Sequence, residues 1–230
     1  MWNSTVETKF SGQFMSIRKP AARIGLTMRI VQAEGYDEPR DALAQDWHGF
    51  MQFALPETLW LPIPNLGNDA VEYFQHWHLD GLILTGGNDI GEAPLRDATE
   101  SSLISHALSS SLPIVGVCRG LQMLHHHFGG QLRACPPEDH VSSSHQIDFT
   151  ETFPVPAYRR RQSDVNSYHN LSMLADELPL ELALYAQTPE NWVESIGIPD
   201  KNVIATMWHP EREKPYCDRD RDIMRSAFGY

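Results

Sequence analysis

The sequence predicts a three-layer α/β fold: a mostly parallel central sheet with helices on both faces, plus a small antiparallel hairpin region. Three observations predict it. Short apolar runs alternate with amphipathic segments four times between residues 23 and 130, the pattern of parallel βαβ units. Beyond Gly130 the segments shorten and turn polar, as hairpins do. A chain of 230 residues also buries a sizeable core without staples. Its three cysteines, at 118, 135 and 217, are odd in number and far apart, which is no disulfide framework.

Residues 1–22 carry no period and read as a loose tail, with Met15 an expected alternative start just before the first strand. Residues 23–230 read as a single domain. Ile24–Met28 is a buried strand. Pro39–Ala54 reads as a helix, because Leu43, Trp47, Phe50 and Ala54 share one face. Thr58–Ile63 is a second strand, and Asn68 or Asp69 caps the helix that carries Val71, Phe74 and Trp77. Leu79–Leu84 is a third strand and Asp97–Leu108 a helix. Pro113–Val117 is a fourth strand, and Arg119–Phe128 is a helix stopped by Gly129-Gly130. Late in the chain come a strand at Val203–Met207 and a closing helix at Asp218–Phe228.

Eighteen basic against thirty acidic side chains give a net charge of −12. That surface repels nucleic acid and anionic membranes. No run approaches the ~20 apolar residues of a membrane helix. The first twenty residues lack the apolar core of a signal peptide, so a cytoplasmic protein is expected.

In parallel sheets, sites form where loops leave the carboxyl ends of the strands. Two such loops stand out, Gly86–Asp89 and Cys118–Gly120. Ile114–Gln122 reads Ile-Val-Gly-Val-Cys-Arg-Gly-Leu-Gln. A cysteine between flanking glycines at a strand-to-helix turn has the layout of a nucleophile elbow. The helix start favours thiolate, and the Arg119 N–H is free for an oxyanion. The other reading is a buried structural cysteine. A thiol nucleophile needs a base and an orienting group, and His209-Pro210-Glu211 follows a strand with both side chains on one side. Gly86-Gly87-Asn88-Asp89 lacks the Gly-Lys-Ser/Thr ending of a phosphate loop and suits an oxyanion turn better.

Metal readings are weaker. His125-His126-His127 project ~100° apart on a helix and cannot converge on one ion. Cys135, His140 and His145 do not have zinc spacing. No metal or organic cofactor is expected. Arg159-Arg160-Arg161 is a solvated loop or an anion contact.

Taken together and in order, Gly86–Asp89, Gly116-Val117-Cys118-Arg119-Gly120-Leu121-Gln122 and His209-Pro210-Glu211 resemble the class I glutamine amidotransferase family. The resemblance runs from about Arg23 to the C-terminus. It implies Cys118 as nucleophile, His209 as base and acid, and Glu211 as its orienter. It implies an oxyanion hole from the Gly87 and Arg119 N–H groups. Asn88, Gln122, His145, Asn166, Ser167 and His169 would surround the γ-glutamyl substrate. Arg96-Asp97, Glu100 and Asn166–His169 are more similar to the γ-glutamyl amide hydrolase branch. Two departures remodel its leaving-group side: only Ile90–Leu95 separate the glycine turn from Arg96, and Leu171 stands where relatives carry glutamine.

Ile24–Arg29, Asp41–Trp47 and Asn166–Asn170 are similar to hydrolases that release a CDP-amidate in capsule phosphoramidate synthesis. A nucleotide leaving group would draw on Arg29, Arg96, Arg119 or Arg159–Arg161. The alternative implied by the same motifs is a glutaminase subunit that passes ammonia to a partner synthetase.

Overall fold

The computed structural model of the protein describes residues 21–230. The loose tail expected over residues 1–22, and Met15 with it, lies outside them except for Ala21 and Ala22. β1 (Arg23–Thr27) leads into a hairpin of β2 (Arg29–Gln32) and β3 (Pro39–Ala42), then α1 (Asp46–Ala54) and β4 (Leu59–Ile63). α2 (Ala70–His76), β5 (Gly81–Leu84), α3 (Pro94–Ser109), β6 (Ile114–Val117) and α4 (Arg119–His127) follow. Next come β7 (Arg133–Ala134), the single turn α5 (Pro137–His140), β8 (Val141–Phe149), β9 (Gln162–Tyr168) and β10 (Leu171–Ser172). β11 (Ala183–Gln187), β12 (Val193–Ile198), β13 (Val203–Thr206) and α6 (Asp218–Phe228) complete the chain.

Nine strands form one sheet in the order β4-β1-β5-β6-β13-β12-β11-β8-β9. The first five run parallel. The last four join by antiparallel pairing. The hairpin region is therefore a continuation of the central sheet, which is mixed.

Period-two alternation divides the apolar side chains between two cores. Ile24, Leu26, Ile83, Val115 and Val117 pack with Trp47, Phe50, Ile223 and Met224 of α1 and α6. Leu82, Leu84 and Ile114 pack on the other face with Phe74, Leu103, Ile104 and Leu121 of α2, α3 and α4. Helices thus cover both faces of the parallel half, as three layers require.

The helix expected at Pro39–Ala54 is shorter. Pro39–Ala42 pairs instead with Arg29–Gln32, and the Asp41 carboxylate accepts from both the backbone and the side-chain N–H of Asn65. That use of Asp41 fixes the segment extended, so only Trp47, Phe50 and Ala54 of the predicted face lie on α1.

Candidate active site

β6 and β13 are parallel neighbours, with Val117 opposite Thr206. Their carboxyl ends therefore deliver Cys118 and the 207–211 segment side by side. Cys118 caps α4 at φ 51° and ψ −102°, a strained backbone for any residue with a Cβ. The elbow is held by a 2.8 Å hydrogen bond from Cys118 N–H to Thr206 O. It is as tight as the glycines suggest: a Cβ on Gly120 would lie 2.3 Å from the Leu84 carbonyl oxygen.

His209 is buried, and its Nδ1 stands 2.7 Å from Glu211 Oε1. Its ring packs on Gly86, where a Cβ would come within 2.7 Å of His209 Cε1, and edge-on against Tyr168. The preceding Trp208 is braced by a 2.9 Å hydrogen bond from Nε1–H to Asp220. Burial opposes a charge on His209, but the neighbouring Cys118 and Glu211 outweigh it and push the imidazole up to about 9. The ring should stay protonated through neutral pH and release its proton as pH rises through about 9. An NMR titration of His209 in wild type and in Cys118→Ala checks this. The midpoint should fall in the variant, because Cys118 is the largest of the raising influences; an unmoved midpoint would contradict the coupling.

Arg119 opens α4, so its N–H has no intrahelical acceptor. Gly87 takes φ 94°, which glycine adopts freely. Behind this turn, two of the arginines expected at a nucleotide leaving group, Arg96 and Arg119, sit instead in a buried network. Arg96 donates to the carbonyl oxygens of Thr85 at 2.7 Å, Gly86 at 3.2 Å and Gly87 at 2.6 Å, and to Glu100 at 3.0 Å. Glu100 also accepts from Thr27 Oγ1 and Arg119, and Arg119 reaches Asp97 as well. The Arg96 and Arg119 guanidinium groups are therefore occupied inside the protein. The i, i+4 pair Arg96–Glu100 on α3 was the available signal.

The remaining expected contacts divide. Asn88 uses its side-chain amide to pin β2, accepting from Ile30 N–H and donating to Ile30 O. Gln122 donates to Leu171 O at 2.8 Å, which ties α4 to the turn after β9. Asn166 grips the backbone of His209, accepting from its N–H at 2.8 Å and donating to its carbonyl at 2.9 Å. Ser167 is buried and donates to His140 O. His145 and His169 turn away to Glu194, a carboxylate in the fully buried strand β12. Sequence reasoning missed Glu194; its signal was a lone acid within the apolar run Val193–Ile198. Arg29 lies against Gly87, where a Cβ would be 2.9 Å from Arg29 Nε. It has no ion pair among the described residues.

The fold is that of the glutamine amidotransferases: the chain superposes with a TM-score of 0.65 on a Thermoplasma acidophilum protein assigned to GMP synthase, covering 91% of this chain and 93% of that one at 20% identity. The model of the Peptidase C26 family matches residues 24–211, and the chain belongs to that family. It is 29% identical over 196 residues to the gamma-glutamyl-CDP-amidate hydrolase of Campylobacter jejuni, covering 83% of this chain and 90% of the relative. It is 28% identical over 165 residues to the gamma-glutamyl-gamma-aminobutyrate hydrolase of Escherichia coli O157:H7, covering 58% and 64%. Among the described residues no helix is long and apolar enough to cross a membrane.

Proposed function

We propose that the protein hydrolyses a γ-glutamyl amide through a glutamyl thioester, with Cys118, His209 and Glu211 as its triad. The observation that carries this reading is the buried His209–Glu211 contact at 2.7 Å, with His209 a neighbour of the strained Cys118 elbow. Cys118 sulfur attacks the γ-carbonyl carbon. The Gly87 and Arg119 N–H groups hold the resulting oxyanion, a contact worth ~3–4 kcal/mol per donor in other enzymes. His209 gives its proton to the leaving nitrogen as the C–N bond breaks. It then takes a proton from water, whose oxygen attacks the thioester and releases glutamate. Glu211 keeps the ring oriented.

For the leaving group we infer a nucleotide amidate, a reading supported by the likeness to the C. jejuni enzyme over most of both chains. Arg29 is the cation placed for its phosphates. It flanks Gly87 and carries no ion pair among the described residues, whereas Arg96 and Arg119 are engaged internally. Arg160 of the basic run is paired with Glu151.

The test is glutamate release from γ-glutamyl-CDP-amidate, γ-glutamyl-γ-aminobutyrate and glutamine. The nucleotide substrate should lead in kcat/KM by about 100-fold. Arg29→Gln should raise its KM by about tenfold and leave the small amides unchanged. Equal turnover of the small amides would return the reading to a general γ-glutamyl amidase. Preference for glutamine, dependent on an added synthetase, would favour the glutaminase alternative.

A further inference from the structure

Four buried or nearly buried donors converge beyond the triad, from α5, β8, the turn after β9, and β12. His140 Nδ1 lies 3.4 Å from His169 Nε2 and 3.9 Å from Glu194 Oε1. Glu194 Oε1 lies 3.2 Å from His145 Nε2 and 3.5 Å from His169 Nε2. The donor atoms of His140, His145 and Glu194 all fall within 4.8 Å of one another. A tetrahedral ion with bonds of about 2.0–2.2 Å sets its ligands about 3.4 Å apart.

The polar accounting points the same way. Among the described residues, His145 Nε2 and both Glu194 carboxylate oxygens are buried without a hydrogen-bond partner. His145 and Glu194 are near enough to bond but are not aligned as donor and acceptor. Two ligands aimed at a common point between them have that arrangement. A carboxylate that is 0% exposed and unsatisfied is costly unless something neutralises it.

The outer contacts are those of a metal site. His145 Nδ1 lies 3.0 Å from the Asp139 carbonyl, which holds the proton on Nδ1 and leaves Nε2 with its lone pair. His169 Nδ1 faces Cys135 Sγ at 3.6 Å, which frees His169 Nε2 in the same way. Such partners orient ligating imidazoles.

We infer that His140, His145, His169 and Glu194 form a structural site for a divalent cation, zinc by its donor set. Three imidazoles and a carboxylate suit zinc. Four protein ligands leave no position for substrate water, so the ion clips the fold together and does no chemistry. Sequence spacing hid the site because two ligands, His169 in the turn after β9 and Glu194 on β12, lie far along the chain from His140 and His145. The clip bears on the triad through β9: Ser167 donates to His140 O at 2.7 Å and His169 N–H to the same carbonyl at 3.0 Å, next to Asn166, which grips His209. This inference goes beyond the proposed reaction and stands whether or not that reaction is confirmed.

The experiment uses the untagged full chain, produced with zinc and passed through a desalting column. Elemental analysis should find about one zinc per chain. The His145→Gln and Glu194→Gln proteins, each checked for fold by circular dichroism, should retain less than about a tenth of that. Zinc added to chelator-stripped wild type should raise Tm by about 5 °C or more, and should leave His145→Gln unmoved. Cobalt in place of zinc should give a tetrahedral spectrum without a thiolate charge-transfer band, since Cys135 is an outer partner. Stripped wild type that neither takes up zinc nor shifts Tm overturns the proposal. So does a folded His145→Gln protein that binds zinc as wild type does, because His125–His127 is unchanged in both.

Discussion

Cys118→Ala is expected to remove turnover while the protein stays folded. Without the sulfur the proposed thioester cannot form, and only the binding and oxyanion contributions of that mechanism are left. The rate on the best γ-glutamyl substrate should fall by about 10⁴-fold or more. Alanine keeps a Cβ at φ 51°, so backbone strain is retained and Tm should move little. Cys118→Gly separates the two roles of the position. It is equally inactive, yet glycine adopts a positive φ without the ~1–3 kcal/mol of strain stored at such sites. The glycine variant should therefore be more stable than the alanine variant in urea. Steady turnover by either variant would show that another group is the nucleophile. A glycine variant less stable than alanine would remove the strain argument.

Arg96→Met should be the most destabilising single change among the residues around the site. It strips hydrogen bonds from three carbonyl oxygens and from Glu100, all in a region closed to water. Breaking a buried ion pair by removing one partner costs about 3–5 kcal/mol. That is a large part of the ~5–15 kcal/mol that holds an ordinary domain folded. The loss should also reach the chemistry, since the released carbonyls belong to the turn that presents the Gly87 N–H. Urea unfolding measures the first effect, and kcat at a temperature where the variant is folded measures the second. Arg160→Ala supplies the contrast. Its pairing with Glu151 is highly exposed on both sides, and its loss should cost under about 1 kcal/mol. Similar costs for Arg96 and Arg160 would refute the network's role.

The parallel half was legible because its signals are local. Each strand is an apolar run, each helix has a face, and each site loop carries its glycines. Cys118 and His209-Pro210-Glu211 stood out for the same reason. What escaped the sequence depends on partners far along the chain. The spacing of Leu43, Trp47, Phe50 and Ala54 carries the expected helix back to Pro39, but pairing of Pro39–Ala42 with β2 and the use of Asp41 by Asn65 override it. Asn166, expected at the substrate, is spent on the His209 backbone across 43 positions. Glu194 is one acid in an apolar strand until the fold brings three histidines to it. The continuation of the sheet past β13 also required knowing which edge the hairpins would join.

That continuation separates two kinds of inheritance. Cys118 and the His209–Glu211 pair of the proposed triad follow β6 and β13, inside the parallel half, where neighbours on both sides fix their positions. The Asn166–His169 segment hangs from β9, at the sheet's outer margin, and meets His209 chiefly through Asn166. The β2–β3 hairpin, which brings Arg29 to Gly87, lies outside the central sheet altogether. Under the proposed reaction, drift in these peripheral pieces can exchange one amine for another while Cys118, His209 and Glu211 keep their geometry. A single scaffold can in this way diversify across cellular amides, and the peripheral pieces are where libraries aimed at new leaving groups should be concentrated.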